Sequence, residues 1–190
     1  MTPEPKASPS RWLLPVGAAL CVLGALTVLL AAGLPERADS SAVEIEGLSF
    51  APEPGQLAPP FSAQTPNGET VSLLAPRGKP VILNFWATWC GPCAAEMPEL
   101  QRVYDVYGDQ VALVGVNTGE SAQVVDAWAQ ARGLTFPLVL DEAREIAALY
   151  QLRGQPTTFL ISPEGRIVDI IYGPTTFEGL SLALTSFLTA

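Results

Sequence analysis

The pattern of apolar positions divides the chain into an apolar amino-terminal segment and a longer region of short alternating elements. Residues 13–34 carry no charge and would span about 33 Å as a helix, which is enough to cross a bilayer core. Residues 35–60 are rich in Pro, Ala, Ser and Glu, a composition typical of linkers. We therefore expect an amino terminus over residues 1–12, a transmembrane anchor over 13–34, a flexible stalk over 35–55 and a folded domain over 56–190.

The charges that flank the apolar segment predict its orientation. Lys6 and Arg11 precede the segment, whereas Glu36, Arg37 and Asp39 follow it. Because positive flanks stay inside, we expect a cytoplasmic amino terminus, a single pass through the cytoplasmic membrane and an extracytoplasmic domain. A cleaved signal peptide is the alternative, although its apolar region is usually only about 7–15 residues long.

Strand and helix patterns alternate within the folded region. Asn67-Gly68 indicates a hairpin turn, Val43–Phe50 is a possible edge strand, and Pro98 should kink its helix. The alternation predicts an α/β domain in which a mixed sheet has helices on both faces. The predicted strands are Phe61–Gln64, Thr70–Leu73, Val81–Trp86, Val111–Asn117, Pro137–Leu140, Thr157–Ile161 and Arg166–Ile171. The predicted helices are Cys93–Tyr107, Ala122–Ala131, Glu142–Tyr150 and Thr176–Leu188.

The clearest chemical signal is a pair of cysteines, Cys90 and Cys93, separated by Gly91 and Pro92. The pair lies between a buried strand and a helix, whose first turn offers unpaired N–H groups and a partial positive charge. Cysteines of such motifs have a pKa lowered to roughly 3.5–7.5. Cys93 lies about one helical turn further on and can attack a mixed disulfide formed at Cys90. The spacing therefore predicts a redox-active pair.

Other uses of the two thiols are less well supported by the sequence. A tetrahedral zinc site needs four ligands, but the chain has one further cysteine, Cys21, and no histidine. A purely structural disulfide across so short a loop would give little stabilisation. A binding module that holds Cu(I) or an apoprotein by two thiolates stays open as an alternative. We expect no metal and no cofactor for the redox function.

The charge balance narrows the class of partner. The chain has 10 basic and 19 acidic residues, for a net charge of −9. Such a domain is unsuited to binding nucleic acid, whose phosphates attract basic surfaces. A single domain on a stalk also makes a monomer the default expectation.

Three ordered motifs identify a family resemblance. The stretch from Asn84 to Cys93, followed by Glu96-Met97-Pro98, resembles the membrane-anchored TlpA/ResA-like branch of the thioredoxin family, which is related to the AhpC/TSA group. Ala58–Phe61 resembles the opening segment of that branch, and Gly154–Leu160 resembles its cis-proline loop. The resemblance covers residues 56–190. It implies a thioredoxin fold, a central mixed β-sheet flanked by helices, here preceded by a transmembrane helix.

The resemblance also implies an activity. Its members are thiol–disulfide oxidoreductases that reduce protein disulfides outside the cytoplasm, often in apocytochromes c, and a membrane thiol donor recharges them. Cys90 would be the attacking thiolate, and Cys93 would resolve the mixed disulfide and pair with Cys90 in the oxidised form. Gly91 and Pro92 would shape the turn into the helix. Neither composition nor spacing indicates which client protein is used.

Four further residues acquire expected roles from the resemblance. Gln155 and Pro156 would form a cis peptide bond whose exposed backbone pairs with a client segment as an added strand. Trp89 would flank the sulfur atoms and contribute to the docking surface. Glu96 would face the side of the helix that carries Cys93 and handle the proton of the thiols. Burial would raise the pKa of this carboxyl group.

Two departures from better-known relatives leave alternatives open. Asn84 stands where cytoplasmic thioredoxin has a buried aspartate, so Glu96 or water must carry the proton. A peroxiredoxin-like peroxidase is the second enzyme alternative, although Thr88 lies two residues before Cys90 rather than the three that such enzymes require. An oxidase is a third, but no histidine separates the cysteines to stabilise a thiolate strongly.

Overall fold

The computed structural model describes residues 43–45, 48–73 and 78–188, all of which belong to the compact unit Ser40–Ala190. The predicted amino terminus over residues 1–12 and the predicted anchor over 13–34 lie outside the described residues. Within the described ranges, no helix combines the length and the apolar character needed to cross a membrane.

The described elements alternate as the sequence predicts. Each strand and helix predicted from residue 61 onward is present, and its ends differ from the predicted ones by at most three residues. Helix α1 continues through Pro98. The elements are β1 (Val43–Ile45), β2 (Leu48–Phe50), β3 (Phe61–Gln64), β4 (Thr70–Leu73), β5 (Val81–Trp86), α1 (Gly91–Tyr107), β6 (Ala112–Thr118), α2 (Ala122–Gln130), β7 (Leu138–Asp141), α3 (Glu145–Leu149), β8 (Thr157–Ile161), β9 (Ile167–Tyr172) and α4 (Phe177–Leu188).

Five strands form one mixed sheet in the order β7-β6-β5-β8-β9. Strands β5, β6 and β7 run parallel to one another, whereas β8 pairs antiparallel with both β5 and β9. Strands β3 and β4 form a separate antiparallel hairpin. Its turn contains Gly68 at φ 86°, and the Gly68 N–H donates to the Thr65 carbonyl over 2.9 Å. The predicted Asn67-Gly68 turn is therefore confirmed.

The central strand β5 contributes to two cores, one on each face of the sheet. Ile82, Asn84 and Trp86 are fully buried and alternate with Leu83 and Phe85, which are also fully buried. Ile82 and Trp86 pack with apolar residues of α1, α2 and α4, whereas Leu83 and Phe85 pack with the β3–β4 hairpin and α3. This confirms the prediction of helices on both faces. The two-residue period of a strand thus places Asn84 on the face covered by α1.

The folded domain begins earlier along the chain than Gln56. The Ala51 N–H donates to the Leu57 carbonyl over 3.0 Å, and the Gly55 N–H donates to the Ile167 carbonyl over 2.7 Å. Phe50 is only 6% exposed, so its side chain is part of the domain. The stalk predicted over residues 35–55 is therefore wrong for residues 48–55. The Pro- and Ala-rich composition could not reveal these long-range backbone contacts. The predicted edge strand is instead the antiparallel pair β1–β2.

Gly115 of β6 lies in close contact with its neighbours within the sheet. A Cβ atom at this position would lie 2.7 Å from Leu138 Cδ2 and 3.1 Å from Trp86 Nε1. We predict that Gly115→Ala lowers the free energy of unfolding by about 1–3 kcal/mol, because added atoms in a packed core force neighbours to shift. Urea unfolding of the oxidised protein measures this change. Gly91→Ala is the control, since nothing lies within 4 Å of its added Cβ. If both variants had the same urea midpoint of unfolding as the wild type, the packing argument would be contradicted.

Candidate active site

Cys90 and Cys93 form a disulfide at the amino terminus of α1, with an S–S distance of 2.02 Å. Cys90 is the N-cap residue with extended backbone (φ −82°, ψ 104°), and the Cys93 N–H points to the Cys90 Sγ atom at 3.2 Å. Cys90 is 6% exposed and Cys93 is fully buried. Pro92 lies in the first turn of α1, where its missing N–H removes no helical hydrogen bond. The Cys90 sulfur therefore occupies the position at which helix amides stabilise negative charge.

Glu96 is a buried carboxylate one turn further along α1, and it is only 1% exposed. Its Oε1 atom accepts a hydrogen bond from Asn84 Nδ2 over 2.9 Å. Its Oε2 atom accepts hydrogen bonds from the Thr175 N–H over 2.8 Å and from the Thr175 hydroxyl over 3.3 Å. Burial raises the pKa of Glu96 above its ordinary value of 4.5, and these hydrogen bonds offset only part of that effect. The burial and raised pKa expected for Glu96 are thus present.

Asn84 holds Glu96 in place, a role that sequence reasoning missed. Its Nδ2 atom donates to Glu96 Oε1 and to Thr158 Oγ1, each over 2.9 Å. Its Oδ1 atom is buried and has no hydrogen-bond partner. The available signal was a polar residue within an otherwise apolar strand, on the face that α1 covers. Asn84 therefore acts as a hydrogen-bond donor to the neighbouring carboxylate.

A second carboxylate, that of Glu120, fixes the loop that leads into Cys90. Its Oε2 atom accepts from the Thr88 N–H over 2.7 Å and from Asn117 Nδ2 over 2.8 Å. The Thr88 hydroxyl donates to its Oε1 atom. Sequence reasoning missed Glu120, although it follows β6, whose carboxyl end adjoins that of β5. Within the described ranges, no group of three His, Cys, Asp or Glu side chains is placed to hold a metal ion.

Two of the remaining predicted residues, Trp89 and Gln155, line an open groove, and Pro156 follows Gln155 in the chain. The Gln155–Pro156 peptide bond is cis, as the resemblance implied. Gln155 Nε2 donates to the Thr118 hydroxyl, and Pro156 is buried, with its carbonyl accepting from the Gly173 N–H over 2.9 Å. Trp89 is 66% exposed, so it is not a packed core residue. Trp89, Thr118 and Gln155 together line a groove with a volume of about 450 Å³.

Comparisons with known proteins identify relatives of this domain. The model of the AhpC/TSA family matches residues 54–170. The thiol-disulfide oxidoreductase ResA of Bacillus subtilis (strain 168) is 42% identical over 123 residues, which cover 64% of this chain and 69% of ResA. The thioredoxin-like protein YneN of the same organism is 43% identical over 125 residues, which cover 64% of this chain and 73% of YneN.

Solved structures show the same architecture. The crystal structure of StoA from Bacillus subtilis superposes with a TM-score of 0.59 at 38% identity, and the match covers 65% of this chain and 95% of StoA. A thiol:disulfide interchange protein of the thioredoxin family from Chlorobium tepidum TLS superposes with a TM-score of 0.64 at 27% identity, covering 70% of this chain and 95% of that one. The described domain is therefore a thioredoxin fold with a central mixed sheet flanked by helices.

The buried carboxyl group of Glu96 should make stability depend on pH. Because its pKa is raised in the folded state, the folded protein holds this proton more tightly than the unfolded chain does. The resulting stabilisation is complete below the unfolded value of 4.5 and is lost as the pH rises through the folded-state pKa. We predict that the unfolding free energy of the wild type, taken relative to that of Glu96→Gln, falls as the pH rises from 4.5 through the folded-state pKa of Glu96. Urea unfolding of the oxidised proteins measures this change.

Glu99→Gln is the matched control for this measurement. Glu99 lies on the same helix, is only half-buried, and accepts from the Phe177 N–H over 2.9 Å. A constant difference between the wild type and Glu96→Gln at every pH would contradict the raised pKa.

Proposed function

The chain belongs to the AhpC/TSA family and is a thiol–disulfide oxidoreductase, and from this premise we propose that it reduces protein disulfides outside the cytoplasm through Cys90 and Cys93. The observation that carries the proposal is the placement of the Cys90 sulfur as the N-cap of α1, beside the Cys93 N–H. Such a site stabilises a thiolate, and a thiolate is the species that attacks a disulfide. The full burial of Cys93 supports its assignment as the second, resolving cysteine.

The proposed reaction transfers two electrons to the client. In the reduced protein, the Cys90 thiolate attacks one sulfur of the client disulfide, and the other client sulfur leaves as a thiolate that takes up a proton. Cys93 then loses its proton and attacks the Cys90 Sγ atom, which breaks the mixed disulfide. The client sulfur displaced from Cys90 leaves as a second thiolate and takes up a proton from solvent, so the client is released with two thiols. The protein is left with the Cys90–Cys93 disulfide.

Glu96 is proposed to accept the proton that Cys93 must lose. It lies three residues after Cys93 on α1, the spacing at which side chains share a helix face. Its raised pKa brings it closer to the range in which a carboxyl group exchanges protons near neutral pH. The unpaired Oδ1 atom of Asn84 supports this role, because rotation of the Asn84 amide would offer an acceptor to the protonated carboxyl group.

Trp89, Gln155 and Pro156 are proposed to receive the client. The exposed ring of Trp89 and the side chain of Gln155 line the same groove, and Pro156 shapes the adjacent backbone. An extended client segment would place its disulfide over Cys90 while its backbone pairs beside Gln155. No recognition of a particular client sequence is required for this part of the proposal.

The proposed location and partners rest on the amino-terminal sequence and the family resemblance. Residues 13–34 would anchor the chain in the cytoplasmic membrane, with the domain on the outer side, where disulfides form and persist. Apocytochromes c are one proposed class of client. A membrane thiol donor would return two electrons to the Cys90–Cys93 disulfide after each turnover. We propose a monomer that uses no cofactor.

Trapping a mixed disulfide tests the proposed order of attack. With disulfide-bonded insulin as the client, we predict that Cys93→Ser accumulates a mixed disulfide between Cys90 and insulin, because the resolving thiol of Cys93 is absent. Cys90→Ser should form no such adduct, and its rate of insulin reduction should fall by at least about 100-fold because a serine hydroxyl is not ionised at neutral pH. Non-reducing gels and peptide mass analysis identify the adduct.

Two results would contradict the proposal. One is an adduct that forms on Cys93 in the Cys90→Ser variant as readily as on Cys90 in the Cys93→Ser variant. The other is consumption of hydrogen peroxide by the reduced wild type at a rate far above that of insulin reduction, which would favour a peroxidase.

A further inference from the structure

The groove beside the active site combines apolar and cationic lining residues. Its lining residues include the apolar Ala147 and Leu152 and two arginines, Arg144 and Arg153. No aspartate or glutamate lines it, although the chain as a whole has a net charge of −9. An electropositive groove on an acidic protein attracts anionic groups selectively.

The two guanidinium groups of this groove are unpaired, unlike the other described cations. Neither Arg144 nor Arg153 forms a side-chain hydrogen bond, an ion pair or a ring contact with any described residue. Glu142 and Glu145 are near Arg144 in sequence, but its guanidinium group pairs with neither. The remaining described cations all have intramolecular partners: Lys79 with the Asp109 carbonyl, Arg102 with Glu178 and Phe177, Arg132 with Trp128, and Arg166 with the Gly55 carbonyl.

The backbone of the groove is also unusual. Among the described residues, only two non-glycine residues have positive φ, Arg144 at 60° and Gln151 at 48°, and both line the groove. The side chain of Arg144 lies close to Gly119, where a Cβ atom would be 2.8 Å from the Arg144 Nε atom. Backbone conformations of this kind concentrate at functional sites. The absence of a side chain at Gly119 therefore leaves room for the Arg144 guanidinium group at this edge.

The position of the groove points to the ligand. Trp89, which directly precedes Cys90, and Gln155, which precedes the cis-proline, both line it. A client segment that brings a disulfide to Cys90 would thus extend along the groove toward the two guanidinium groups. Guanidinium groups bind carboxylates with paired hydrogen bonds, and the apolar lining residues Ala147, Ala148 and Leu152 would contact neighbouring aliphatic side chains.

From this geometry we propose that Arg144 and Arg153 form a specificity subsite for client segments that carry an aspartate or glutamate close to the disulfide being reduced. This inference rests on the proposed reductase function and adds a preference among its clients. The proposed occupant of the groove is an acidic segment of a protein client.

Matched peptides test the preference. Each peptide carries one cysteine as a mixed disulfide with 2-thiopyridine, and either glutamate or glutamine at successive positions on both sides of the cysteine. Attack by Cys90 on the peptide sulfur releases 2-thiopyridone, whose absorbance gives the second-order rate constant for the reduced full-length protein. Because a partly exposed ion pair is worth up to about 1 kcal/mol, which corresponds to roughly fivefold, we expect the best-placed glutamate to react about threefold to fivefold faster than its glutamine counterpart.

The double variant Arg144→Gln/Arg153→Gln should lower the ratio of the rate constants for the glutamate and glutamine peptides to below about twofold, because it removes both guanidinium groups. The matched control is Arg102→Gln/Arg132→Gln, which removes the same charge from outside the groove and should keep the wild-type ratio. The ratio should also fall in 1 M salt, where the Debye length is only about 3 Å.

Three outcomes would overturn the inference. Equal rates for glutamate and glutamine peptides at every position with the wild type would exclude the subsite while leaving the reductase function intact. If the Arg102→Gln/Arg132→Gln control lost the preference for glutamate to the same extent, the preference would come from the net charge of the protein and not from the groove. Failure of the reduced wild type to react with any peptide, or to reduce insulin, would overturn the reductase function and this inference together.

Discussion

The active-site half of the domain depends on one buried carboxylate, that of Glu96. Its two oxygen atoms accept hydrogen bonds from Asn84 on β5 and from Thr175 just before α4, so a single side chain of α1 ties the helix to two other parts of the chain. A carboxylate is stable at 1% exposure only when such donors compensate for lost water. Those donors come from two other segments of the chain, so the bonds hold the face of α1 that carries Glu96 against β5 and the segment before α4, three residues after Cys93.

The topology of the sheet explains why distant segments meet at this site. Strands β5 and β6 run parallel, so the loops that follow them, which contain Cys90 and Glu120, emerge at the same edge. Strand β8 runs antiparallel to β5, which brings its preceding residues Gln155 and Pro156 to that edge as well. Ligand sites at the carboxyl ends of parallel strands are the general rule for open α/β sheets. Strand direction thus explains why the Cys90 sulfur, the Glu120 carboxylate that binds Thr88 and the groove lined by Gln155 lie at one edge of the sheet.

Local sequence patterns were sufficient for some features and not for others. The period of apolar residues located β5 and α1, and the spacing of Cys90 and Cys93 indicated their chemistry, because these signals lie within a few consecutive residues. The bonds from Asn84 to Glu96 and from Thr88 to Glu120 join positions 12 and 32 residues apart, and their pairing depends on strand order. The burial of Phe50 within a Pro-rich stretch, and the lack of a side-chain partner for Arg144 or Arg153 among the residues that the structure describes, likewise depend on the tertiary arrangement, which no local pattern encodes.

The reduction potential of the Cys90–Cys93 pair in the full-length protein tests the central claim most directly. It is measured by equilibration with a thioredoxin standard of known potential. The Gly91-Pro92 dipeptide and the lack of a histidine between the cysteines predict a value near, or slightly less negative than, the roughly −270 mV of thioredoxin. Such a value would mean that the domain donates electrons to disulfide-bonded clients. A value near −120 mV, typical of a strong disulfide oxidant, would contradict the account and make the protein a disulfide donor.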